Sequence, residues 1–125
     1  MKKSLMAKTW AAAALLSLAA AGAQAEANDT LKKNNAAPAA VLLDPQSRIA
    51  RAYGATVTPH MYVVDAAGML VYKGGIDSIP SSSTSDVPKA KQYVRVALDE
   101  VLAGKPVSEA STRPYGCTLK YGSNA

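Results

Sequence analysis

Residues 41–77 read VLLDPQSRIARAYGATVTPHMYVVDAAGMLVYKGGID, and the order of elements within them decides the fold. With Ala39 and Ala40, the run Val41-Leu42-Leu43 predicts a short buried strand. Asp44-Pro45 then reads as a helix start: aspartate caps free amides, and proline at the first helical position gives up no needed donor. Ile49, Ala50 and Tyr53 mark one apolar side of that helix, and Gly54 is placed to end it with a positive φ. Val57-Thr58-Pro59-His60 leads into a second strand, Met61–Val64. Asp65-Ala66-Ala67-Gly68 reads as a hairpin turn, and Met69–Lys73 as the antiparallel return strand. Both strands are apolar almost without alternation, which predicts a sheet covered on both faces.

Downstream, residues 74–87 read as a long Ser- and Gly-rich loop. Asp86 and Pro88 open the strongest helical pattern in the chain. Ala90, Tyr93, Val94, Ala97, Leu98, Val101 and Leu102 fall on one face, and Gly104 and Pro106 close it. The ending Thr112–Tyr121 reads as an extended tail, with 122–125 beyond it. Upstream, residues 26–38 are polar and predict an arm or weak helix, broken at Pro38. The expected class is α/β with a small sheet.

Residues 1–25 have a different character. Lys2, Lys3 and Lys8 precede the 14-residue apolar run Trp10–Ala23, short of the roughly 20 residues that span a bilayer. The run closes on Ala23-Gln24-Ala25. A basic start, a short apolar stretch and a small-x-small site, in that order, predict a secretory signal peptide cleaved after Ala25. The expected location is periplasmic or secreted, with no stable membrane anchor once the leader is removed.

Composition excludes several functions. The 125 residues carry 14 Lys and Arg against 9 Asp and Glu, a formal charge of +5. Loss of residues 1–25 removes three lysines and no acid, leaving 11 against 9, or +2. The remaining basic residues are scattered, so no nucleic-acid partner is expected. A single Cys and a single His supply neither a disulfide framework nor a metal-ligand set, and no motif calls for a cofactor.

The run of residues 41–77, together with the helix AKQYVRVALDEVLAGKPV (residues 90–107) and the ending YGCTLKY (residues 115–121), resembles the thioredoxin-like redoxins of the alkyl hydroperoxide reductase and thiol-specific antioxidant type, in a secreted subgroup. The resemblance covers roughly residues 28–121. It implies a partial thioredoxin-like fold over 39–121, strand-helix-strand-strand-helix, lacking the N-terminal strand-helix-strand. It also implies a cis bond before Pro59, with the backbone at Thr58 and Pro59 exposed to bind a peptide or thiol. In that family the reactive cysteine stands at a helix N-terminus, where the helix dipole favours the thiolate. This chain has no Cys before position 117.

The implied function is that of an exported thiol or peroxide redox protein without its usual nucleophile, weakly active or inactive. Cys117 is the one candidate nucleophile and His60 the one candidate base, and together they would make a one-cysteine peroxidase. The competing reading is a non-enzymatic interaction module. Such a module completes its sheet on a partner, pairs Cys117 with a thiol or disulfide protein, or self-associates through an exposed sheet edge.

Overall fold

A computed structural model describes residues 22–121. The chain divides into two compact units between Pro45 and Gln46. The expected leader lies outside the described residues up to position 21, as does the tail 122–125; residues 22–25 belong to helical residues 22–33, here α1. None of the described helices is long and apolar enough to cross a membrane.

In the first unit, α1 ends when Asn35 takes a left-handed backbone (φ 51°). The amides of Asn35 and Ala36 then bond back to the carbonyls of Lys32 and Leu31. Residues 39–43 form no strand, contrary to the sequence reading; Leu42 is 73% exposed. A strand requires a neighbour for its amides and carbonyls, and no described strand pairs with this run.

The second unit holds the sheet elements. Its helix α2 spans Arg48–Ala52, starting later than Asp44-Pro45 suggests. Pro45 and Gln46 form a turn instead, and Ser47 adopts a left-handed backbone (φ 54°) without capping through its side chain. The predicted end holds: Gly54 has φ 65°, and the amides of Gly54 and Ala55 return to Arg51 and Ala50.

The strands are β1 Val57–Thr58, β2 Met61–Val64, β3 Leu70–Gly74 and β4 Cys117–Thr118. They form two antiparallel pairs, β2 with β3 and β1 with β4. The architecture is therefore a mixed α/β arrangement with small antiparallel sheets. The β2–β3 hairpin follows the sequence closely. Asp65 Oδ1 accepts the amides of Ala67 and Met69 at 2.9 Å each, and Gly68 takes φ 81°.

Residues Thr84–Lys89 form a 3-10 helix around Pro88, and the α-helix α3 covers only Tyr93–Leu102. Asp86 therefore does not cap α3; it accepts from Ser81 Oγ at 2.8 Å and from Lys89 Nζ at 3.0 Å. Pro88 offers no amide to a continuous α-helix, and Ala90 is extended (ψ 141°), so the helix restarts after Gln92.

Val63, Tyr72 and Ala97 are the fully buried apolar residues among those described; Met61, Val71, Tyr93, Val94 and Val107 pack around them. One face of the β2–β3 hairpin thus rests on α3. The other face is not covered as the apolar pattern predicts: Val64 is 45% and Leu70 46% exposed. The far side of α3 is open too, with Leu102 83% exposed.

Tyr72, 1% exposed, closes a ring of hydrogen bonds. Its phenol donates to the Gly75 carbonyl at 2.6 Å. The Gly75 amide donates to Thr112 Oγ1 at 3.1 Å, and Thr112 and Tyr72 share a 2.6 Å contact in which Thr112, with its proton still free, is the donor. Burial pushes the Tyr72 phenol pKa up, against the downward pull of the Thr112 contact, so it stays a donor at neutral pH. Tyr72→Phe leaves the Gly75 carbonyl and Thr112 short of a partner and is expected to destabilise the chain by about 1–3 kcal/mol. Urea unfolding measures it. Thr112→Val breaks the same ring, so the two changes together should cost less than their sum.

Candidate functional site

The strand register brings three of the four sequence-predicted residues together. β1 and β4 pair antiparallel with Val57 opposite Thr118 and Thr58 opposite Cys117. The Leu119 amide bonds to the Thr56 carbonyl at 2.9 Å, which makes that pair and, by alternation, the Thr58–Cys117 pair the hydrogen-bonded ones. The Thr58–Pro59 peptide bond is cis. Cys117 is an exposed free thiol beside this turn.

Gly116 makes the approach possible. A Cβ on it would lie 2.2 Å from the Thr58 carbonyl oxygen, and its φ is 139°. Only glycine fits there. One consequence differs from the sequence reading. The Thr58 backbone expected to be open to a bound peptide is instead paired with Cys117 of the chain's own tail.

The tail is held at its far end as well. Tyr121 donates its phenol to the Ala55 carbonyl, and the Arg51 guanidinium lies 4.5 Å from the centre of the Tyr121 ring.

His60 stands in the turn between β1 and β2, but its imidazole is engaged elsewhere. Nδ1 accepts the Thr56 amide at 3.3 Å, and the ring stacks on Tyr62 at 4.6 Å. Tyr53 meets the same Tyr62 ring edge-on at 5.1 Å. No hydrogen bond joins His60 to Cys117 among the described residues. Accepting through Nδ1 puts the neutral ring's proton on Nε2.

A cavity of about 480 Å³ opens beside Val57 and Gly116, between residues 77–80 and 113–116. Asp77 Oδ1 accepts the Tyr115 phenol at 2.7 Å and the Ile79 amide at 3.0 Å. The Asp77 hydrogen bond, with burial and the carboxylate charge behind it, pushes the Tyr115 phenol up to about 12. Sequence reading passed over this cluster. Asp77 and Tyr115 lie 38 positions apart with no motif between them, and the one local hint is the glycine before Cys117. No group of three or more His, Cys, Asp or Glu side chains among the described residues is arranged to hold a metal ion.

No family model matches this sequence, and no curated protein does. Solved structures are similar to this chain, two of them as follows. One is an uncharacterized conserved protein from Geobacillus kaustophilus, 33% identical over 67% of this chain, with a TM-score of 0.58. The other is a hypothetical protein from Sinorhizobium meliloti, 33% identical over 65%, with a TM-score of 0.56. The match spans 43% of the length of each of those chains.

Partial burial and the Lys73 charge hold the His60 imidazole below the 6.5 of a free one. In the window between that lowered value and 6.5, the unfolded chain binds the extra proton and the folded chain does not. Stability is therefore expected to fall as pH drops through 6.5, until the folded imidazole also protonates. The His60 ring-proton NMR titration should show a midpoint below 6.5, and His60→Gln should flatten the pH dependence of the urea midpoint in that window.

Proposed function

We propose that this chain is the later part of a thioredoxin-like redoxin, exported through a leader at residues 1–25, and weakly active or inactive as a peroxidase or disulfide reductase. The observation that carries the reading is the setting of its one thiol. Cys117 lies in a two-residue strand opposite Thr58, not in the first turn of a helix. A thiol becomes a good nucleophile at neutral pH where a helix N-terminus or a close cation stabilises the thiolate. The first turns of α2 and α3 carry no cysteine. Support for the redoxin assignment comes from the resemblance over residues 41–77, whose expected hairpin is present as β2 and β3.

Purified full-length chain should consume hydrogen peroxide and reduce insulin disulfide far more slowly than an intact redoxin, or not at all, while one thiol per chain reacts with a disulfide reagent. Turnover comparable to an intact redoxin, lost in Cys117→Ser, would overturn the proposal.

A second reading, an interaction module, is favoured by one specific observation. The Lys73 amide and carbonyl bond to Ala110 and Thr112, on the side of β3 away from β2. Lys73 faces Tyr62 across the hairpin, so their pair is the non-hydrogen-bonded kind and the Tyr62 backbone groups point to the outer edge of β2. No described strand covers that edge. Such an edge pairs readily with another strand. On this reading the chain elutes above its monomer mass in reducing buffer, and a proline at Tyr62 returns it to monomer. A reducing-buffer monomer at high concentration counts against it.

A further inference from the structure

The cavity beside Gly116 is lined by one carboxylate, Asp77, one guanidinium, Arg113, and the Ser78 hydroxyl. Asp77 lines it, but its Oδ1 is engaged with Tyr115 and Ile79. The Tyr115 proton is committed to Asp77. Ser78 Oγ accepts the Lys91 amide at 2.9 Å, which leaves its own hydrogen to give. Arg113 also lines the cavity, and its guanidinium makes no ion pair or hydrogen bond among the described residues. Ser78 and Arg113 thus supply two uncommitted donors, one of them a fork suited to a pair of oxygens, beside the unengaged Oδ2 of Asp77.

Tyr93, Tyr115, Pro80, Pro114 and Val57 supply much of the remaining lining, and four of these five carry a ring. Such walls favour a planar hydrophobic body. The volume lies in the range of small-molecule sites, roughly 300–1,000 Å³. The Asp77 carboxylate in the same wall disfavours a second negative charge on the ligand, which argues for a monoanion over a phosphate dianion.

We propose that this cavity binds a small aromatic monocarboxylate, with the carboxylate on Arg113 and Ser78 and the ring against Tyr93 and Tyr115. The site uses neither the Cys117 thiol nor His60, so it stands or falls separately from the redox reading.

The test is a two-dimensional amide NMR titration of the full chain with sodium benzoate at constant ionic strength, with benzamide as the neutral isostere. Benzoate should give saturable shifts centred on residues 77–79 and 113–116, with a millimolar or tighter Kd, about −4 kcal/mol. Benzamide should bind about tenfold more weakly or worse, and Arg113→Gln should lose about tenfold or more for benzoate, the scale of a charge-assisted hydrogen bond. Arg113 is exposed, so the variant should keep the wild-type spectrum elsewhere. If Arg113→Gln misfolds, the benzoate–benzamide comparison on the wild type decides alone. Non-saturating shifts, equal binding of benzoate and benzamide, shifts centred elsewhere, or undiminished affinity in a folded Arg113→Gln would each overturn the proposal.

Discussion

The three-membered hydrogen-bond ring of Tyr72, Gly75 and Thr112 is the constraint on which the second unit depends. Each group in it donates once and accepts once, so the bonds polarise one another, and a buried phenol escapes the cost of an unmet donor. The ring ties the end of β3 to a segment nearly forty residues downstream. Gly74 sits so close to Thr112 that a Cβ there would meet the threonine side chain at 2.2 Å and its backbone at 2.6 Å. Just beyond, Gly75 lies against the Arg113 carbonyl, where a Cβ would stand 3.0 Å away. The two glycines and the ring together dictate the path of residues 110–115.

Other features follow from that path. Ala110 and Thr112 pair with Lys73 and cover the outer edge of β3, which leaves β2 as the uncovered edge. Pro114 and Tyr115 are carried to Asp77 and form one wall of the cavity. Gly116 then arrives against Thr58, and β4 begins. The apolar core is small for these tasks, with Val63, Tyr72 and Ala97 fully buried. In a domain this lightly packed, loss of one or two kcal/mol is a large fraction of total stability. Polar closure through Tyr72 therefore weighs more here than it would in a larger core.

Sequence made the hairpin legible because its determinants are local: Asp65 and Gly68 lie three positions apart, and the Gly68 amide bonds to the Asp65 carbonyl. The exits of α2 and α3 were legible for the same reason, with a glycine one place past each C-cap. Where a reading needed a distant partner, it failed. Residues 39–43 have strand composition, but strand formation depends on a neighbour that composition does not report. Asp86 and Pro88 look like a helix start, yet Ser81 and Lys89 compete for the aspartate and hold it in a 3-10 turn. The site divides along the same line. Thr58, Pro59, His60 and Cys117 drew attention as residue types, whereas Tyr72–Thr112 and Asp77–Tyr115 are contacts at separations of 40 and 38 that no periodicity announces.

Residues 112–121 also connect features that sequence would treat as separate. Within ten positions the chain supplies a member of the buried ring, the one uncommitted guanidinium of the cavity, the partner of Asp77, the glycine against Thr58 and the lone thiol. These groups cannot move independently. The Gly116 backbone passes so close to Thr58 that a Cβ there would stand 2.2 Å from the Thr58 carbonyl oxygen. The β1–β4 pairing is only two residues long and rests on anchors at both ends, Tyr115 to Asp77 before it and Tyr121 to Ala55 after it. A strand pair that short has little stability of its own. The exposure of Cys117 and the shape of the cavity are therefore set by the same tyrosine anchors, and a change that loosens either anchor should be felt at both.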